Sequence, residues 1–263
     1  MIIVNGQEIK QNHFPDNTLL TKIDYVNGTN GVMIQWFYEN DSELFTLICV
    51  KDYLDSHGYK NIDLFVPYLP HARMDRVKNN SDVFTLKSFC NVINNLKFNS
   101  VIVRDVHSNV SLALLDNVIP ERPTEFINSA LDDCGAQVVF FPDEGAMKRY
   151  SGDIVKPYAF GIKDRDWETG KIRGLNIFNA DIVKDKDVLI VDDICSRGGT
   201  FYHSARALKA AGAKNVYLYV THLEKTVFEG QLFEDEDLIK KIYTTRSIFP
   251  LGSEGFKIKV LDY

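Results

Sequence analysis

Short apolar runs alternate with longer amphipathic segments along most of this 263-residue chain. The apolar runs are rich in β-branched and aromatic residues, which favours buried parallel strands. They cover residues 64–66, 101–103, 138–141, 158–162, 188–191, 215–220, 242–245 and 257–261. The amphipathic segments have the spacing of helices that bury one face. They cover residues 42–57, 83–96, 124–134 and 201–211. Strands alternating with helices predict an α/β fold with mostly parallel sheets.

The first forty or so residues have a different pattern, with apolar and polar residues alternating around the turns Asn5-Gly6, Asn27-Gly28 and Asn30-Gly31. Asn-Gly flanked by such alternation predicts antiparallel hairpins, of which Val32–Tyr38 is the strongest strand. The strand–helix pattern breaks between Asn109 and Arg122. We therefore predict two halves, residues 1–118 and 119–263, each with a mostly parallel sheet flanked by helices.

Composition restricts the classes of function. The chain is 45% hydrophobic and 25% charged with a net charge of −6, which is typical of a soluble protein and argues against a general nucleic-acid binder. No apolar run is long enough to cross a membrane. Four scattered cysteines without a Cys-x-x-Cys pair predict reduced thiols and a cytoplasmic location.

The richest chemistry follows the apolar run 188–191, where Asp192 and Asp193 precede a segment that we call the glycine loop, Ser196–Thr200. Glycines at 198 and 199 let the backbone approach a ligand closely, and Thr200 is a candidate cap for the next helix. The N–H groups at a helix start bind anions. Amides for a phosphate beside carboxylates for hydroxyls predict a site for a phosphorylated sugar.

Three other predicted strands also end in charged loops, and ligands in such sheets bind beyond the carboxyl ends of strands. These are the arginine loop Pro67–Arg76, the histidine turn Arg104–His107 and the segment Pro142–Arg149. Each has an ordinary structural explanation, such as a surface ion pair or a helix-capping acid. Together they offer cations for polyphosphate and groups that bind a metal, which is what phosphoryl transfer requires.

The order and spacing of the four loops resemble the ribose-phosphate diphosphokinase (phosphoribosyl pyrophosphate synthetase) family. The matching motifs are Val66-Pro-Tyr…Ala72-Arg-Met-Asp-Arg76, similar to its ATP loop; Arg104-Asp-Val-His107, similar to Asp-Leu-His; Phe141-Pro-Asp-Glu-Gly145, similar to Ser-Pro-Asp-x-Gly; and Val191-Asp-Asp-Ile…Gly199-Thr200, similar to its ribose-phosphate loop. The last motif is shared with all type I phosphoribosyltransferases, so the first two point to the diphosphokinase. The resemblance implies two phosphoribosyltransferase-like halves and a short, divergent member of the family.

The resemblance also implies a role for each motif. ATP would be bound by Arg73, Asp75, Arg76 and His107; the ribose phosphate by Asp192, Asp193, Ser196, Arg197, Gly198, Gly199 and Thr200; and Mg²⁺ by Asp105, His107 and Asp143. The family has a catalytic Lys-Arg pair in a loop that precedes the ribose-phosphate strand. Lys163 and Arg165 stand at that place and, with His107, are the candidate catalytic residues.

The implied activity is Mg²⁺-dependent transfer of the β,γ-pyrophosphoryl group of ATP to the anomeric hydroxyl of ribose 5-phosphate, in nucleotide biosynthesis. The same transfer onto a larger acceptor such as ADP-ribose, in NAD salvage, stays open because Ser196-Arg197-Gly198 replaces the family's Asp-Thr-Ala. A phosphoribosyltransferase or a non-catalytic regulatory relative would leave the arginine loop or the Lys-Arg pair without a role. We expect small-molecule substrates, a homo-oligomer, and no nucleic-acid or membrane partner.

Overall fold

The computed structural model of the chain describes residues 1–23, 31–165, 172–235, 237–250, 252–253, 255 and 257–262, and for 163–165 and 172–174 the backbone alone. The chain forms two compact units, Met1–Arg122 and Pro123–Tyr263. The predicted boundary after residue 118 lies inside the first unit. The predicted turns at Asn27-Gly28 and Asn30 lie outside the described residues. None of the described helices is both long and apolar enough to span a bilayer.

The first unit contains a six-stranded sheet, a separate hairpin and three helices among its described residues. In chain order its elements are β1 Ile2–Val4, β2 Gln7–Ile9, β3 Gln11–His13, β4 Leu19–Thr21, β5 Val32–Trp36, α1 Glu43–Ser56, β6 Ile62–Val66, α2 Thr85–Asn95, β7 Val101–Arg104, α3 Asn109–Leu114 and β8 Val118–Glu121. The sheet order is β2-β1-β5-β6-β7-β8, antiparallel on both sides of β1 and parallel from β5 onward. Strands β3 and β4 pair with each other, so the N-terminal hairpin region is confirmed.

The second unit contains a seven-stranded sheet in the order β11-β10-β9-β12-β13-β14-β15. Its elements are α4 Thr124–Cys134, β9 Val138–Phe141, α5 Glu144–Tyr150, β10 Tyr158–Arg165, β11 Ile172–Phe178, β12 Asp187–Cys195, α6 Gly199–Ala210, β13 Asn215–Leu223, β14 Ile242–Thr245 and β15 Ile258–Leu261. All neighbours are parallel except β10 and β11. Buried side chains cover both faces of this sheet, as a parallel sheet requires. The predicted α/β class is confirmed.

The family resemblance places Lys163 and Arg165 in a loop, but both residues lie on a strand. Strand β10 continues to Arg165 and β11 begins at Ile172, with Lys163 opposite Leu175 and Asp164 opposite Gly174. Antiparallel pairing at the sheet edge therefore overrides the polar composition of this segment, whose centre, 166–171, lies outside the described residues.

Candidate functional site

In the first unit the arginine loop connects β6 to α2 and is held by an internal ion pair. Arg76 donates from Nε and Nη2 to Asp75 at 2.6 and 2.8 Å. The Asp75 side chain is 11% exposed and that of Arg76 is 66% exposed. These bonds from Arg76, and one from Ser108, hold the pKa of Asp75 well below its usual range. Asp75 is thus an ionised, internally bound carboxylate, while Arg73 and Arg76 are exposed.

The histidine turn follows β7, the strand beside β6. Asp105 is buried and has a positive φ of 42°, a conformation that costs energy in a non-glycine residue and is concentrated at functional sites. His107 is exposed, so it is not a core histidine. Ser108 caps helix α3, accepting a hydrogen bond from the Val110 N–H at 3.2 Å. The turn therefore presents an exposed imidazole two residues after a buried carboxylate.

In the second unit the acids lie within a strand and not in a loop. We expected the strand to end at Val191, but β12 runs to Cys195 because its pairing continues with Asp192 opposite Val220 and Ile194 opposite His222. Asp193 is 5% exposed and Arg149 Nη1 donates to it at 3.0 Å. Burial, and then the negative charge of Asp193, raise the pKa of Asp192.

The glycine loop joins β12 directly to α6. The helix begins at Gly199 and its N-cap is Gly198, with a φ of 75°. Thr200 was expected to cap this helix, but it is the second helical residue and therefore cannot. A Cβ placed on Gly199 would meet no heavy atom within 4 Å, so the space above the first turn is open. An open helix start with exposed amides fits a phosphate.

The segment Glu229–Leu232, which follows β13, packs against the glycine loop. Arg197 donates from Nη2 to Glu229 at 3.3 Å, with the side chains 74% and 60% exposed. A Cβ on Gly198 would lie 2.3 Å from the Leu232 side chain, and one on Gly230 would lie 1.8 Å from the Arg197 carbonyl oxygen. The loop is thus in close backbone contact with this segment, and Arg197 extends from its outer side.

The other predicted residues are accounted for as follows. Asp143 is the N-cap of α5 and accepts from the Ala146 N–H at 3.1 Å, and its charge also raises the pKa of Asp192. Lys163 and Arg165 lie on β10, and their side chains are outside the described part of the chain. Asp105 and His107 belong to the first unit and Asp143 to the second. Across the described ranges no group of three or more His, Cys, Asp and Glu side chains has the geometry of a metal centre.

Three residues that the sequence analysis did not assign to any site contact the predicted site residues. Arg149 pairs with Asp193, Ser108 donates to Asp75 at 2.7 Å, and Glu229 pairs with Arg197. Arg149 was visible as the end of a charged loop. Ser108 and Glu229 carry no signal in the sequence, because their partners lie 33 and 32 positions away.

The phosphoribosyl transferase domain model matches residues 151–246. The ribose-phosphate pyrophosphokinase of Pyrococcus abyssi is 29% identical, over 97% of this chain and 88% of its own length. That of Sulfurisphaera tokodaii is 27% identical over 99% and 91%. The crystal structure of phosphoribosylpyrophosphate synthetase from Mycobacterium smegmatis has the same fold, with a TM-score of 0.76 at 18% identity over 97% of this chain and 86% of that one.

These relatives match almost the whole chain, so the similarity includes both units and not the ribose-phosphate motif alone. All four segments, which are the arginine loop, the histidine turn, Pro142–Arg149 and the glycine loop, follow strands of the two mostly parallel sheets. The chain is thus similar along almost its whole length to ribose-phosphate pyrophosphokinases, and it has the fold of two phosphoribosyltransferase-like halves.

Proposed function

We propose that this protein is a ribose-phosphate diphosphokinase, which converts ATP and ribose 5-phosphate into 5-phosphoribosyl 1-pyrophosphate and AMP. The observation that supports this most strongly is the first unit, where two exposed arginines and an exposed histidine follow adjacent strands. A phosphoribosyltransferase that acts without ATP would need none of them.

ATP is assigned to the first unit. Arg73 and Arg76 neutralise its phosphates, because a guanidinium can donate two parallel hydrogen bonds to one phosphate. His107, beside the buried Asp105, serves the metal–nucleotide. Mg²⁺, bound to phosphate oxygens, would neutralise charge on the transferred group. It usually takes only one or two carboxylates from the protein when phosphates supply other ligands, so a carboxylate of the unit that holds the nucleotide, such as that of Asp105, fits it chemically.

Ribose 5-phosphate is assigned to the second unit. The amides at the start of α6, with Ser196 and Thr200, bind the 5-phosphate, and Asp192 and Asp193 accept hydrogen bonds from the ribose hydroxyls. Arg149 holds Asp193 in place, because it donates to that carboxylate at 3.0 Å.

In the reaction the anomeric oxygen attacks the β-phosphorus of ATP. The bond from that phosphorus to the α,β-bridging oxygen breaks, AMP leaves with this oxygen, and the hydroxyl proton is released to water. Lys163 and Arg165 stabilise the charge that develops during transfer. Their position on β10, beside β9 and the segment Pro142–Arg149, supports this assignment.

The test measures AMP release from ATP with ribose 5-phosphate and Mg²⁺. We expect AMP to form only with the acceptor present. His107→Ala should lower the rate at least about a hundredfold. The control His57→Ala removes an exposed histidine at the end of α1 and should leave the rate unchanged. No AMP from the wild type, or an unchanged rate with His107→Ala, would contradict the assignment.

Arg197 favours a second candidate, in which the same transfer acts on a ribose with a larger 5-substituent such as ADP-ribose. This arginine is 74% exposed and its ion pair with Glu229 joins two exposed side chains, so it costs little to break. Arg197→Gln should then raise KM for ADP-ribose several-fold more than KM for ribose 5-phosphate. Absence of AMP with ADP-ribose would rule this candidate out.

We also propose a cytoplasmic homo-oligomer. All four cysteines, which lie in the described part of the chain, are free thiols, and burial raises the pKa of Cys90 to about 11. An unreactive buried thiol suits a reducing compartment. Light scattering of the purified protein tests the assembly, and a monomer at micromolar concentration would contradict it.

A further inference from the structure

We propose that Asp75 is a positioning residue that ties the arginine loop to the histidine turn and does not itself bind the nucleotide. This rests on the proposed function, in which both segments hold ATP. It changes the role that the family resemblance implies for Asp75.

The Asp75 carboxylate is fully engaged inside the protein. Oδ1 accepts from Arg76 Nε at 2.6 Å, and Oδ2 accepts from Arg76 Nη2 at 2.8 Å and from Ser108 Oγ at 2.7 Å. Its side chain is only 11% exposed. A negative charge with three donors around it has little capacity left for a ligand, and it would repel a polyphosphate that approached directly.

The Ser108 hydroxyl, like the Asp75 carboxylate, is engaged in hydrogen bonds within the protein. Its hydroxyl donates to Asp75 and accepts from the Val110 N–H at the start of α3. Both directions of this hydroxyl are therefore fixed by the fold. Because β6 and β7 are parallel neighbours, the loops that follow them emerge side by side, and the Asp75–Ser108 bond joins them.

The bond determines the geometry of two groups that would touch ATP. The two hydrogen bonds to Asp75 hold the Arg76 guanidinium in one orientation. Its remaining N–H groups face solvent, because the Arg76 side chain is exposed, and they are the ones that would reach ATP. His107 directly precedes Ser108 in the chain, so the bond from Ser108 also holds the backbone of the histidine turn in place. Fixing these side chains before ATP arrives removes the entropy that would otherwise be lost on binding. Loss of the bond should therefore weaken ATP binding and leave the acceptor unaffected.

The same two strands provide a matched control. Ser100 Oγ donates to Asp63 at 2.6 Å, which is an equivalent serine–aspartate bond. It lies near the amino ends of β6 and β7, at the edge of the sheet opposite both loops. Removing it should affect stability without affecting the geometry of the arginine loop.

The experiment compares Ser108→Gly, Ser108→Thr and Ser100→Gly in the full chain. Glycine is well tolerated at a helix N-cap, so Ser108→Gly removes the donor with little effect on α3. We expect Ser108→Gly to raise KM for ATP about tenfold, since a hydrogen bond to a charged group is lost, and to leave KM for ribose 5-phosphate within about twofold. Ser108→Thr keeps the hydroxyl and should restore KM for ATP, and Ser100→Gly should not change it.

Asp75→Asn and the double variant Asp75→Asn/Ser108→Gly complete the test. If the two residues act through one bond, the double variant raises KM for ATP no further than Asp75→Asn alone. The proposal is overturned if Ser108→Gly resembles Ser100→Gly, if both substrates' KM values rise equally, or if the two changes multiply. Calorimetry of the same variants with a non-hydrolysable ATP analogue measures binding directly, so it tests the Asp75–Ser108 bond even if the wild type releases no AMP. An inactive wild type would contradict the proposed function but not this proposal.

Discussion

At the scale of single residues, two glycines, Gly198 and Gly230, determine the conformation and position of the glycine loop. Gly198 has a φ of 75°, and a Cβ there would lie 2.3 Å from Leu232, so both its conformation and its surroundings require glycine. Gly230 has ordinary extended angles, φ −107° and ψ −174°, but a Cβ there would lie 1.8 Å from the Arg197 carbonyl oxygen. The sequence shows both glycines, while the reason for the second depends on a contact across 33 positions.

Gly230→Ala should therefore displace the loop, because the new methyl group clashes with backbone and not with a mobile side chain. We expect KM for ribose 5-phosphate to rise about tenfold or more and KM for ATP to stay the same, since a displacement of about 1 Å at a binding site has effects of this order. Steady-state AMP release measures both. Gly152→Ala is the control, since a Cβ there meets nothing within 4 Å, and equal behaviour of the two variants would show that the loop does not bind the acceptor.

We predict that Asp192 is needed to bind the acceptor and that it lowers the stability of the folded protein at neutral pH. Burial, and then the charge of Asp193, raise its pKa, so above the unfolded value of about 4 the folded protein binds more protons than the unfolded chain. Stability from this group is therefore lost as pH rises from there through the folded pKa. Asp192→Asn should raise Tm at pH 7 by a few degrees while it abolishes acceptor binding.

Thermal melts between pH 4 and pH 8 measure this effect, and the advantage of Asp192→Asn should grow with pH. Asp187→Asn is the control, since Asp187 lies at the other end of β12 and accepts a hydrogen bond from Asn215 at 2.7 Å. A Tm gain that is independent of pH would contradict the assigned cause.

At the scale of elements, periodicity predicted most strands and helices, and it failed where packing outweighs local preference. Strand β12 continues through two aspartates because β13 pairs with it as far as Cys195 and Leu223. The segment between the halves was taken as a break, yet it forms α3 and β8. Strand β8 contains Pro120, and proline is tolerated there because β8 is the edge strand. Such pairings become visible only in three dimensions.

Helix α4 is attached to the far edge of the second sheet through Asp133, which no sequence pattern indicated. Three side chains donate hydrogen bonds to the Asp133 carboxylate. They are Lys241, just before β14, at 2.8 Å, Tyr243 of β14 at 2.7 Å and Lys259 of β15 at 2.5 Å. Their hydrogen bonds, that of Lys241 first, hold the pKa of Asp133 well below its usual range. A lowered carboxyl pKa contributes stability above the unfolded value of about 4, which is lost as pH falls through the folded pKa.

Asp133→Asn should accordingly lower the free energy of unfolding at pH 7 by about 1–2 kcal/mol, with partial exposure of the cluster taken into account. The difference from the wild type should shrink as pH falls below about 4. Urea unfolding at pH 7 and pH 3 measures both. Asp237→Asn removes a pair with Lys240 in which the carboxylate is 88% exposed, and it should change little. An equal loss in both variants would mean that Asp133 is an ordinary surface charge.

At the scale of the whole molecule, each unit places its charged segments after neighbouring parallel strands. These are β6 and β7 in the first unit and β9 and β12 in the second. Parallel neighbours end at the same edge of a sheet, so the charged loops could be recognised from the sequence as two groups. Their internal bonds, Asp75 to Ser108 and Arg149 to Asp193, could not. The proposed division of substrates follows this layout, with ATP on the first unit and the ribose phosphate on the second.

Hydrogen exchange in the full chain tests that division. In α6 the first N–H that bonds back within the helix is that of Tyr202, to the Gly198 oxygen at 2.9 Å, so the amides of Gly199, Thr200 and Phe201 are the donors left for a phosphate. Ribose 5-phosphate should slow exchange at these amides several-fold without affecting residues 71–76 and 105–108. A non-hydrolysable ATP analogue with Mg²⁺ should do the reverse. Core strand residues 189–191 serve as the unaffected reference, and protection of the arginine loop by ribose 5-phosphate alone would contradict the proposed assignment of the two substrates.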